Sequence, residues 1–117
     1  ANTSVSINFQ KLFYEIHQVV NNIVGIPINN CKSRAIKHED YFIGDGDKKH
    51  AFAHMEIALL EGRDAETRKK LAEAALRILK SYYLKEGIND NLQLTVEIKD
   101  IKRDFYFKHP EGTLAKP

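Results

Sequence analysis

The stretch from Ala58 to Lys80 changes period in its middle, and nothing else in the chain restricts the fold so much. Up to Gly62 apolar and polar residues alternate as in a strand; after Asp64 the apolar residues return at helical spacing. A strand that feeds straight into an amphipathic helix gives that helix a sheet face to cover. One arginine, Arg63, stands at the joint between the two periods. It is either a solvated surface charge or a cation held where a sheet ends and a helix begins.

The rest of the chain supplies the surroundings. Phe9, Leu12, Phe13, Ile16, Val19, Val20 and Ile23 form one helical stripe. Ser6 or Asn8 can cap its start, and Gly25 with Pro27 stops it. After the Asn29-Asn30 turn signal, Cys31 to His38 reads as a strand. Gly44-Asp45-Gly46-Asp47 reads as a hairpin-type turn whose glycines supply positive φ. His50 to Leu60 is extended, with Ala51, Ala53, Met55, Ile57 and Leu59 on one face and His50, Phe52, His54, Glu56 and Ala58 on the other. Asp64 caps the second helix, whose buried stripe is Leu71, Ala75, Ile78, Leu79 and Tyr82. Gly87 and Asn89-Asp90-Asn91 end that region. Leu92 to Lys99 alternates as a half-buried strand. Phe105, Tyr106 and Phe107 make the tail too aromatic for disorder, so it should pack on the body or on a neighbouring subunit.

The order is α-β-β-α-β in a single domain over residues 1–117. Two β-α-β units would need one more strand, before the first helix, and Ala1 to Ser6 is too short and polar to supply it. The fold class expected is α+β, with two helices on a mixed sheet whose first strand is missing from the chain.

Composition removes several classes of function. A formal net charge of +2 leaves no clustered basic face for nucleic acid. The densest patch, Arg68-Lys69-Lys70, belongs to a solvated helix face, and only Phe52 could stack on a base. A single cysteine, Cys31, excludes an internal disulfide, suits a reducing compartment and reads as a structural thiol. No apolar run approaches the roughly 20 residues of a membrane span, and no signal-peptide pattern opens the chain. Cytoplasmic location, with no membrane partner, is the expectation.

Few constellations carry chemistry. His50 and His54 share a strand face but lie roughly 13 Å apart by the usual rise, too far for one metal ion. Asp45-Gly46-Asp47 lacks the later glutamate of a calcium loop. Tyr82 and Tyr83 read as core and boundary aromatics, and no Ser-His-Asp or Cys-His spacing stands out. Lys32 and Arg34 alternate on one face of the second element, and Arg63 ends the third. If those strands are neighbours, three cations converge at one sheet edge. Such a pocket, without metal or organic cofactor, suits a small anionic substrate bearing carboxylates.

Lys32-Ser33-Arg34, His50-Ala51-Phe52-Ala53-His54-Met55 and Gly62-Arg63-Asp64-Ala65-Glu66-Thr67-Arg68 resemble the 5-carboxymethyl-2-hydroxymuconate isomerase family of the tautomerase superfamily. Leu92 to Glu97 and Phe107-Lys108 fit the same pattern, so the resemblance spans nearly the whole chain. It implies a repeated β-α-β fold assembled as a homotrimer. It also implies a 1,3-proton shift in an unsaturated 2-hydroxy or 2-oxo di- or tricarboxylic acid, in aromatic-compound degradation. The family base is an amino-terminal proline on the first strand; Ala1 does not match it, and the gene is expected to encode about one more short strand upstream. Arg63 falls on a substrate-contacting arginine of the family and would stabilise the oxygen where charge develops. Lys32 falls on the other, keeping the charge but not the planar fork, and would hold a second anionic group. Arg34, His54 and Phe52 are the further substrate-binding candidates. A trimerising module without catalysis is the competing expectation.

Overall fold

A computed structural model describes residues 7–84 and 91–110. Its elements are α1 (Phe9–Val24), a 3₁₀ turn (Ile28–Asn30), β1 (Ala51–Leu60), α2 (Ala65–Tyr83), β2 (Leu92–Ile101) and a second 3₁₀ turn (Arg103–Phe105). Ala1 to Ser6, Gly87 to Asp90 and Pro117 lie outside the described residues.

Helix α1 forms where the stripe predicts. The Asn8 side chain accepts a hydrogen bond from the Lys11 amide at 3.1 Å, satisfying one of the donors left over at a helix start. Gly25 ends it at φ 82°, with its amide bonded to Asn21 O, a left-handed cap that a residue with a Cβ adopts at a cost. Leu12, Ile16 and Val20 are buried on its inner face. Helix α2 is capped by Asp64, whose carboxylate accepts from the Thr67 amide at 2.7 Å. That bond holds the Asp64 carboxyl below its ordinary pKa. Leu71, Ala75, Leu79 and Tyr82 are buried as the stripe predicts, and Ala74 and Tyr83 join them.

The two strands pair in parallel, Ala51 opposite Leu92 through to Leu60 opposite Ile101. Parallel neighbours need a crossover, and α2 supplies it. The core lies between the helices and one sheet face: Leu12, Ile16, Val20, Ala53, Leu59, Leu71, Ala75, Leu79, Tyr82 and Tyr83, with Met55, Ile57, Leu94, Val96 and Ile98 packed against it. The alternation expected for both strands therefore holds, with His54, Glu56, Thr95, Glu97 and Lys99 on the outer, exposed face.

Three expectations are corrected. Cys31 to His38 is not a strand: residues 32–38 are exposed and carry no ladder. Alternation alone cannot make a strand, because its backbone groups need a partner, and β1 and β2 pair with each other. The turn at 44–45 is present, and the Asp45 and Asp47 side chains accept from the Asp47 and Lys49 amides at 2.9 and 2.8 Å. It is not a hairpin turn, since β1 follows it but, among the described residues, no strand precedes it. The expected mixed sheet is, among the described residues, a two-stranded parallel one.

Candidate active site

Both strands end at the same edge. Glu61 donates its amide to Ile101 O at 2.9 Å, the last rung of the ladder. Gly62 follows at φ 123°, a conformation closed to most side chains, and turns the chain out of the sheet toward the Asp64 cap. Between them and the helix sits Arg63. Its Nη1 donates to Leu60 O at 2.8 Å, so the side chain folds back over the strand end instead of extending into solvent. Burial, followed by the charge of Arg103, lowers the Arg63 pKa from its ordinary value.

Arg103 comes from the other strand. It opens the 3₁₀ turn after β2, two residues beyond Ile101. Its amide donates to Glu61 Oε2 at 2.8 Å and its Nε to Glu61 O at 3.0 Å. Two guanidinium groups thus anchor on consecutive carbonyls, Leu60 and Glu61, at one end of the sheet. The sequence pattern did not point to Arg103, which follows the alternation of β2 with no change of period to mark it. Only the parallel register carries it to the joint.

The other candidates are placed differently. Lys32 and Arg34 are exposed on the segment after Cys31, not on a strand beside β1. Ser33 between them bonds His17 of α1 through Oγ and Nε2 at 2.7 Å, which ties this segment to the helix at that point. Cys31 is half-buried against the core, and burial pushes its thiol pKa up. The convergence of three cations on one sheet edge, expected if two strands were neighbours, loses its basis with the missing strand.

Phe52 and His54 do share the outer face of β1. Phe52 stacks with His38 (ring centroids 6.4 Å apart) and meets Tyr41 edge-on at 6.1 Å. His54 bonds Thr95 Oγ1 through Nδ1 at 2.6 Å, which turns Nε2 toward Glu97 at 3.6 Å and Glu56 at 4.0 Å. His54, Glu56 and Glu97 have ligand atoms within 4.8 Å of one another, the described side chains best placed for a cation. Lys99 Nζ already lies 2.7 Å from Glu56 Oε1. That ammonium lowers the Glu56 pKa, and the carboxylate raises that of Lys99. His50 is engaged elsewhere, with Asp45 Oδ1 at 2.9 Å, so the two histidines do not meet. A polar cleft between the helices is lined by Lys11, Glu15, Ser81 and Tyr82, on the side away from the sheet joint. No described helix is long and apolar enough to cross a membrane.

A crystal structure of a 5-carboxymethyl-2-hydroxymuconate isomerase from Deinococcus radiodurans R1 is similar in fold, with a TM-score of 0.76 at 21% identity over 86% of this chain and 77% of that one. It shares the α+β architecture of two helices on a parallel strand pair. No curated protein matches the sequence. The sequence model of the 5-carboxymethyl-2-hydroxymuconate isomerase family matches residues 1–111, and the chain belongs to that family.

Proposed function

We propose that the protein is a cofactor-independent isomerase that moves a proton between carbons of an unsaturated 2-hydroxy or 2-oxo di- or tricarboxylic acid. 5-Carboxymethyl-2-hydroxymuconate, the compound that names the family, is the first substrate to try. The observation that carries this reading is Arg63, a guanidinium folded back over the carboxyl end of β1 by its bond to Leu60 O.

A 1,3-proton shift passes through a dienolate, so negative charge grows on an oxygen. A guanidinium already oriented, and partly withdrawn from water, stabilises that oxygen without having to reorganise. It also grips a carboxylate through two parallel N–H bonds. Phe52, with His38 and Tyr41 beside it, stands near the other end of β1, roughly 26 Å from Leu60 by the usual rise, so within one protomer it is out of reach of a substrate gripped by Arg63. His54 lies two residues farther along the same face. Lys32 and Arg34 would reach this substrate only from another part of the surface. The proton-transferring base is not assigned to any residue of the chain.

The working unit in this reading is a homotrimer. A two-stranded parallel sheet with an exposed outer face is an unusual end state, since parallel sheets are normally covered on both sides. Phe105 and Phe107 are 83% and 89% exposed, which suits burial against a neighbouring copy.

Arg63 also supplies the test. The protein with its natural amino terminus is given the dienol acid, and loss of its ultraviolet absorbance is followed. Arg63→Ala should keep its circular dichroism and lose about 10- to 100-fold in kcat/KM, the range for a bond to a charged group. Equal turnover by parent and variant would make Arg63 a surface charge and sink this reading.

A further inference from the structure

We propose that Arg103 is the second anion-gripping residue of the site, working beside Arg63 in the role that the family resemblance assigns to Lys32; this rests on the isomerase reading above. The register makes the pair possible. Because Leu60 lies opposite Ile101, both chains leave the sheet at one edge, and the residues just beyond them become neighbours in space. The side chains are then held on adjacent peptide units, Arg63 by Leu60 O and Arg103 by Glu61 O.

The Arg103 bond to Glu61 runs through Nε, which sets the plane of its fork. The amide of Arg103 is fixed as well, by the Glu61 carboxylate, so backbone and side chain are tied at the same point. Such double anchoring reduces the rotamer freedom that binding would otherwise remove. The charge of Arg103 is felt at Arg63. Holding two like charges together is unfavourable, and a ligand with two carboxylates offsets that repulsion more than a ligand with one. Acidic groups stand at this edge too: Glu61 is engaged with the Arg103 amide, Asp64 with the Thr67 amide, and Asp100 lies 3.6 Å from Arg68 Nη1. Lys32, by contrast, is tied near α1 by the Ser33–His17 bond and offers a point charge without a fork.

The experiment compares two unreactive probes, glutarate and butyrate, by titration calorimetry on the parent protein and on Arg103→Gln, Arg103→Lys and Lys32→Ala. The expected result is tighter binding of glutarate than butyrate by the parent. Arg103→Gln should lower glutarate affinity about tenfold, the loss of one charge-assisted contact, with little change for butyrate. Arg103→Lys should fall between, because charge returns without the fork. Lys32→Ala should leave both affinities within about twofold, as for a surface charge. Melting temperatures check that each variant is folded, and Arg103→Lys serves if Arg103→Gln is not. A parent that does not prefer glutarate, or a loss found in Lys32→Ala instead of the Arg103 variants, overturns the assignment. The readout needs no turnover: an Arg103-dependent glutarate preference in a protein that never isomerises the dienol supports the anion site while rejecting the reaction.

Discussion

Tyr82 illustrates how a residue that reads only as core can also carry polar work. Its ring is buried between the helices while its hydroxyl donates to the Glu15 carboxylate across from α2 to α1. Burial and that carboxylate together push the phenol up to about 12 from an ordinary value of 10. The fold therefore holds this proton more tightly than the unfolded chain does. The contact's contribution is full below about pH 10 and is lost as pH rises through about 12. The expected outcome is a melting temperature that falls across this window, with a shallower fall in Tyr82→Phe, which has no phenol to ionise. Parallel pH profiles for the two proteins would count against the Tyr82–Glu15 bond. At the same scale, Arg63 was legible because it sits at a change of period. Arg103 has no such marker and takes its meaning only from the strand opposite.

Each helix owes its place to a face rather than to its own propensity. Leu71 is fully buried at the first inward turn of α2, where the helix leaves the joint and first covers the sheet. Leu71→Ala should cost about 2–5 kcal/mol, the range for emptying a packed leucine site. Urea unfolding measures it, and a cost below about 0.5 kcal/mol would mean that α2 does not seat on the core as described. The elements that came through from sequence are those whose pattern is a property of one segment, such as the Leu12-Ile16-Val20 stripe and the Leu92-Leu94-Val96-Ile98 alternation. Cys31 to His38 did not. Its alternation of Lys32, Arg34 and Ile36 with Ser33, Ala35 and Lys37 resembles a strand on paper. A strand, however, is a relation between two segments, and this one pairs with neither strand, touching α1 through Ser33 and β1 through His38.

At the scale of the whole molecule the uncovered surface sets the expectation. One face of the β1–β2 pair is packed by helices, while the other presents His54, Glu56, Thr95, Glu97 and Lys99. Isolated pairs of strands are marginal in water, and their edges invite further pairing. Light scattering should therefore give three times the 13.4 kDa protomer mass at micromolar concentration. A stable monomer there would contradict the homotrimer and leave the exposed Phe105 and Phe107 unexplained. Assembly would bury the outer face but need not cover the carboxyl edge where Arg63 and Arg103 meet, so the glutarate experiment and the mass measurement stand apart.

The sequence by itself determined the two helices, the cap at Asp64, the two alternating strands and the joint that presents Arg63, while of Ser6 and Asn8 it was the structure that chose Asn8 as the cap of α1. These rest on local rules: a period of 3.6 or 2, a capping oxygen, a glycine where φ turns positive. Family membership was legible for the same reason, since its motifs are short and contiguous. Only the tertiary structure decided that the strands run parallel, that residues 31–38 join no sheet and meet α1 through Ser33, and that the cation meeting Arg63 is Arg103 rather than Lys32. Each of those depends on which backbone donors find which acceptors. A one-dimensional pattern does not record that choice; the pairing of Leu60 with Ile101 makes it.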